Sequence, residues 1–246
     1  MGAVIKKVTY SERYRRATVY TSGCNFRCIG CSYKLNNTSS AGNPLGEIAS
    51  SLTSEEVINA LKKLDLKRVH FVGGEPTLCP DIGAIAEFCH EELGVRTKIG
   101  HSTGWNLPPE HIDEMNVTIK AYSSDLHKKY TGFSNRRVLN NFKKIYNMGV
   151  VLSASTVFIP GLIDADEIEM IARFISDVDP AIPLHITGYV PVPDTPWRAP
   201  TQSEMAGAED LARQYLENVT TSWFKSAEDY MDKVRQDPRY QSIQVL

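Results

Sequence analysis

No run of about 18 apolar residues occurs in the 246-residue sequence, so an ordinary membrane-spanning helix is not expected. Basic clusters are equally scarce. The 27 Lys and Arg are balanced by 29 Asp and Glu, and the densest basic patch is Arg13-Tyr14-Arg15-Arg16. Phosphate backbones are held by clustered Lys and Arg, so a nucleic-acid partner is not expected. Cysteine is sparse and unevenly placed, with five in all and three of them between positions 24 and 31. An odd, crowded set does not suit a disulfide framework and suits a reducing compartment. The start, Met1 to Lys7, has no long apolar stretch of the signal-peptide kind, and Lys6 stands where a myristoylation signal wants Ser or Thr. The expectation is a soluble, cytoplasmic protein.

What the sequence does contain is alternation. A hydrophobic fraction of 42% supports a sizeable core, and the length suits one domain over residues 1–246. Residues 1–15 read as a polar lead-in, with a first strand over 17–20. Residues 34–51 are rich in Asn, Ser and Gly and read as an irregular surface excursion. Thr53 and Ser54 can cap a helix whose apolar face is Val57, Ile58, Leu61 and Leu64. Apolar runs at 68–72, 95–100, 117–121, 150–158 and 184–189 alternate with helical patterns at 82–93, 136–148 and 167–178, with a short turn near 109–115. Strand and helix in turn imply parallel strands with helices outside. Six such units fit an α/β fold, an open, partial TIM-like (β/α)6 barrel. The core spans about 16–190, and a helical tail follows over about 201–246.

Three cysteines, Cys24, Cys28 and Cys31, lie in one loop at CxxxCxxC spacing just after the first strand. Thiolates bind iron–sulfur clusters, and three are one short of the four that usually hold a [4Fe–4S] cube, which leaves one iron open to a substrate. The alternative is zinc, which also takes thiolates but wants four ligands in a structural site. Cys79 or Cys89 would then have to complete it from elsewhere. Cys89 lies on the apolar face of a helical pattern and reads as core.

The remaining motifs end strands, where barrel chemistry sits. Val72-Gly73-Gly74-Glu75-Pro76-Thr77 offers a close backbone approach at the glycines and a fixed anion for an ammonium group. Gly100-His101-Ser102-Thr103-Gly104 offers hydroxyls for a ribose, or is a plain Ser/Thr turn. His127 reads as a structural histidine. His185 faces either a ligand or a backbone carbonyl.

The cysteine loop and the Gly-Gly-Glu-Pro sequence together resemble the radical S-adenosylmethionine (SAM) enzymes. The resemblance covers about residues 20–189. Thr118-Ile119-Lys120, then His127, then Gly132-Phe133-Ser134-Asn135 and the Pro160-Gly161 turn are similar to the glycyl-radical-enzyme activating enzymes, typified by the pyruvate formate-lyase activator. The resemblance implies a single radical SAM domain and an oxidoreductase that splits SAM at a [4Fe–4S] cluster into a 5′-deoxyadenosyl radical. It implies Cys24, Cys28 and Cys31 as cluster ligands. It also implies SAM contacts at Gly73, Gly74, Glu75, Pro76, Ser102, Thr103, Lys120, Ser155 and His185. The favoured target is a glycine of a partner glycyl-radical enzyme; a small-molecule or peptide substrate, or a non-enzymatic iron–sulfur or zinc protein, are the alternatives. The implied electron donor is of the flavodoxin or ferredoxin type. Three departures stand out. Thr118 replaces an aspartate that helps hold a monovalent cation, an acid is missing from the third strand end, and Gly30 stands where an aromatic residue is preferred. Adenine stacking would then fall to Phe26 or Tyr33.

Overall fold

The computed structural model describes residues 2–36 and 51–246. The chain opens on a hairpin: β1 (Val4–Ser11) and β2 (Arg16–Ser22) pair antiparallel. The polar lead-in expected over residues 1–15 is therefore mostly strand. A register shift between Ile5 and Lys7 hides it, because the extra residue breaks the two-residue alternation that marks a strand in sequence. Ile5 and Val8 are fully buried either side of the two lysines. The excursion expected over 34–51 falls, apart from its ends, outside the described residues.

From there the expected alternation unfolds. In order come α1 (Ser54–Leu61), β3 (Arg68–Gly73), α2 (Asp81–Glu91), β4 (Arg96–Ser102) and β5 (Glu114–Thr118). Next are α3 (Ser124–Thr131), α4 (Arg136–Asn147), β6 (Val151–Phe158), α5 (Ala165–Ser176) and β7 (Leu184–Gly188). The tail holds α6 (Gln202–Ala212) and α7 (Ala227–Gln236) as expected. It also holds two strands the sequence did not announce, β8 (Val219–Ser222) and β9 (Ile243–Gln244).

The nine strands of the described residues form one sheet in the order β8-β7-β6-β5-β4-β3-β2-β1-β9, with β2 through β8 parallel. This is the partial TIM-like barrel, one parallel strand longer than the six expected. The segment after β8 carries the chain from one edge of the sheet to the other. There β9 pairs with β1, and the Val8 amide donates to the Leu246 carbonyl at 3.1 Å.

The two faces of the sheet differ in chemistry. Val19, Phe71, Ile99, Met115 and Leu152 are register neighbours on five successive strands and are all buried. This apolar row faces the helices and forms the core, since alternate residues share a face. The intervening row is polar: Thr18, His70, Lys98 and Glu114 are neighbours across β2 to β5, and Thr118, Ser155, His185 and Thr220 across β5 to β8. A closed TIM barrel fills that inner face with aliphatic layers. Here that row is hydroxyl, imidazole and charged groups instead.

Candidate active site

The loop after β2 is held by backbone. Arg27 and Ile29 amides donate to the Thr131 and Tyr130 carbonyls at 2.9 and 3.0 Å, which docks the loop on the end of α3. Phe26 anchors it among Trp105, His127 and Phe133, with ring centroids 5.4–5.8 Å away. Buried in that nest, Phe26 is not free to stack on a nucleobase. Tyr33 is half-buried near Cys31 and Tyr20, and burial raises its phenol above the ordinary range. His127 is fully buried, and its Nδ1 lies 2.6 Å from the Phe133 carbonyl, which ties it to the turn after α3.

Cys24, Cys28 and Cys31 are all free and half-buried. Burial pushes the Cys24 thiol up to about 12, against the Phe26 amide, while Glu75 and the other two cysteines add to the rise. Burial pushes Cys28 up to about 11, with the Lys120 ammonium opposing. Such thiols ionise only when a nearby positive centre offsets their desolvation, which is what a bound metal centre does. A structural zinc ion takes four ligands and a [4Fe–4S] cube held by three thiolates keeps one iron open, so the chemistry of a three-cysteine set fits the cube. The Asn25 amide, between Cys24 and Phe26, has both its nitrogen and its oxygen buried without a partner among the described residues, as a loop shaped around a group would.

The end of β3 meets this loop directly. Gly73 has φ 135°, and a Cβ there would lie 2.0 Å from the Thr21 carbonyl oxygen; a Cβ on Gly74 would lie 2.2 Å from that of Gly23. The glycine pair thus admits the backbone leading into the cysteines, and the Glu75 amide donates to Gly23 at 2.9 Å. Glu75 is fully buried. Its Oε1 accepts from the Thr77 amide (3.1 Å), Thr77 Oγ1 (2.6 Å) and Ser102 Oγ (2.8 Å), and its Oε2 from the Thr103 amide. Pro76 is buried and starts the short turn that follows. Ser102 and Thr103 therefore orient Glu75, and the Ser102 hydroxyl is engaged there.

Cys24, Cys28, Cys31, Glu75, Ser102, Thr103 and Lys120 are thus brought together. Ser155 and His185 sit lower on the inner face as register neighbours. Ser155 Oγ donates to Asn116 Oδ1 at 2.7 Å and lies 2.9 Å from Thr118 Oγ1. Both His185 ring nitrogens are engaged by β8, by Thr220 Oγ1 at 2.8 Å and Ser222 Oγ at 3.1 Å. Neither residue offers a free polar atom, and β8, invisible in the sequence, is the reason for His185. Thr118 belongs to this neutral hydroxyl network.

Gly30 has a local cause. A Cβ there would lie 2.8 Å from the Tyr130 hydroxyl and 2.9 Å from the Tyr189 ring. These two buried tyrosines, with Trp197 against both at 6.1–6.2 Å, fill the space beside the third cysteine. Nothing in the sequence marks Tyr130, Tyr189 or Asn25, because their role comes from elements far apart in the chain. Cys89 is fully buried in the core as expected, and Cys79 directs its Sγ to Asp81 Oδ2 at 4.0 Å.

An open parallel barrel with a thiol loop and a buried carboxylate meeting at the carboxyl ends of its strands defines a class of cofactor-dependent enzymes. Within that class the chain belongs to the radical SAM superfamily, whose sequence pattern matches residues 18–175. Enzymes of this family use a [4Fe–4S] cluster and SAM. A protein of Methanocaldococcus jannaschii, provisionally named a glycyl-radical enzyme activating enzyme, is 30% identical over 233 residues, covering 89% of this chain and 84% of that one. A radical SAM methyltransferase from Sphaerobacter thermophilus superposes with a TM-score of 0.62 at 18% identity, covering 90% of this chain and 70% of its own. A domain of a pyruvate-formate lyase-activating enzyme from Bacteroides vulgatus superposes at 0.51 and 18% identity, covering 63% of this chain and 98% of that domain. No helix among the described residues is long and apolar enough to cross a membrane.

Proposed function

We propose that this chain is an activating enzyme. It uses a cluster held by Cys24, Cys28 and Cys31 to cleave SAM reductively, and takes a hydrogen atom from a glycine of a partner glycyl-radical enzyme. The observation that carries this reading is the 30% identity, over most of both chains, with the relative named for that activity. When bound, the cluster and SAM supply a 5′-deoxyadenosyl radical able to abstract hydrogen from an unactivated C–H bond. The protein's own groups do the rest. Glu75, buried and held by four donors, sits close enough to Cys24 to act on its thiol, and so places a fixed anion for the SAM ammonium beside the cysteines. Lys120 stands on the same side, acting on Cys28, as a cation for the SAM carboxylate. The Asn25 amide is the unassigned polar group at the loop and the natural partner for a bound cofactor. In this reading the electron comes from a donor of the flavodoxin or ferredoxin type in a reducing cytoplasm, which the free cysteines support.

The test is an anaerobic electron paramagnetic resonance titration. The reconstituted, reduced protein should give a [4Fe–4S]⁺ signal that changes on adding SAM and is lost in Cys28→Ala. Adding a glycyl-radical enzyme should then produce a glycine-centred radical signal on that partner. A cluster that ignores SAM would sink the whole reading. A cluster that cleaves SAM but leaves every glycyl-radical enzyme silent would move the substrate to a small molecule or peptide.

A further inference from the structure

The amino ends of the strands carry a second group of metal-binding side chains, far in sequence from the cysteines. His90 and Glu91 close α2, and His111 lies in the loop that leads to β5. His90 Nδ1 is 3.1 Å and His111 Nδ1 3.9 Å from the same oxygen, Oε1 of Glu91. The two imidazole rings are 5.0 Å apart. Among the described residues no other three His, Cys, Asp or Glu bring their ligand atoms within 4.8 Å of one another. Ligands at about 2.05 Å around a tetrahedral ion are about 3.3 Å apart, so the observed separations bracket what one zinc ion requires.

The loop side of this group is firmly built. His111 takes the left-handed backbone conformation, φ 62°, which is costly for a residue with a Cβ. Its carbonyl accepts from Thr97 Oγ1 at 2.5 Å, and Thr97 is fully buried and tied to Asp113 through its amide at 2.7 Å. The backbone of His111 is thus fixed from beneath by the start of β4. A cleft of about 250 Å³ beside it is lined by Gly83, Glu87, Glu110 and His111 itself.

Two neutral imidazoles and a carboxylate make a good set for a borderline divalent ion. We propose that His90, Glu91 and His111 bind one Zn²⁺ ion, with water in the fourth position. The ion clips the end of α2 to the β4–β5 loop. It lies on the face of the barrel where stability resides, away from the radical chemistry.

The test uses the full, cluster-loaded chain, with the cysteines occupied, and Zn²⁺ alone as the probe. Calorimetry should find one zinc per chain, and zinc at a hundredfold above its Kd should raise Tm by about 5 °C. His111→Gly removes a ligand and accepts the positive φ, so its zinc-free Tm should match or exceed that of the native chain, while zinc binding weakens at least a hundredfold. His90→Gln should weaken binding in the same way. No zinc uptake by the native protein overturns the proposal, as does full uptake by either variant, which would place the ion elsewhere.

Discussion

Gly30, Gly73 and Gly74 illustrate how a missing side chain is dictated by a distant one. At Gly74 a methyl group would meet the Gly23 carbonyl at 2.2 Å and displace the residue before Cys24. Gly74→Ala is expected to lower the iron retained per chain after reconstitution and to cost about 1–3 kcal/mol, read by iron analysis and urea unfolding. Gly30→Tyr, which supplies the aromatic residue the family resemblance leads one to expect there, collides with Tyr130 and Tyr189. It should destabilise the protein by a similar amount, and a variant as stable as the native chain would show that those tyrosines move aside. At Glu75 the four donors all need an acceptor. Glu75→Gln turns an NH2 toward at least one of them, and a buried mismatch of this kind costs about 1–3 kcal/mol. SAM affinity should fall with it, measured by equilibrium binding to the cluster-loaded protein. Of these residues, the cysteines and Glu75 could be read from sequence because their chemistry is in the side chain. The fit of Gly30 could not, because it depends on Tyr189, which reaches it only after the sheet has formed.

At the scale of the element, helix ends were the most readable feature. Of the two caps the sequence offered for α1, Thr53 is the one used; Glu56 answers it reciprocally, and Thr201 and Glu204 do the same for α6. The Arg198 guanidinium on Glu204, with the Thr201 amide, holds that carboxyl at about 2, below the usual 4.5. Because the folded value is the lower one, the contribution is complete above about pH 4.5 and fades as pH falls toward 2. Thr201→Ala should cost about 1 kcal/mol. In a urea series Glu204→Gln should lose stability at pH 7 and converge with the native protein near pH 2; parallel curves would show that the pair contributes nothing. Short strands were the least readable elements. Val219–Ser222 and Ile243–Gln244 have too few residues, and too many hydroxyls or amides, to show a period. They become strands because the sheet offers unpaired edges, and β1 was missed for the opposite reason, a bulge that scrambles an otherwise apolar pattern.

Across the whole molecule, the inner face of the sheet carries the functional polarity and its energetic cost. His70 lies there among Arg16, Lys98 and Arg68, and burial first, then those cations, lower its proton affinity from 6.5 to about 3. The unfolded chain therefore takes up a proton that the folded one refuses. The stability linked to His70 is present above about pH 6.5 and is lost as pH falls through about 3. The urea midpoint should drop between pH 7 and pH 5, and His70→Gln should flatten that drop; an unchanged slope in the variant would assign the acid lability elsewhere.

The sequence by itself determined the alternation of strands and helices, the thiol loop, the Gly-Gly-Glu-Pro turn and, through them, the family. Each of these is written in contiguous residues whose periodicity or side-chain chemistry acts locally. Only the tertiary structure decided that the glycine pair serves the cysteine loop, that Ser102 and Thr103 hold Glu75, that His185 is engaged by β8, and that His90 and Glu91 meet His111. Those relations join residues on different strands and loops, and the distances that make them exist only once the parallel sheet has fixed its register.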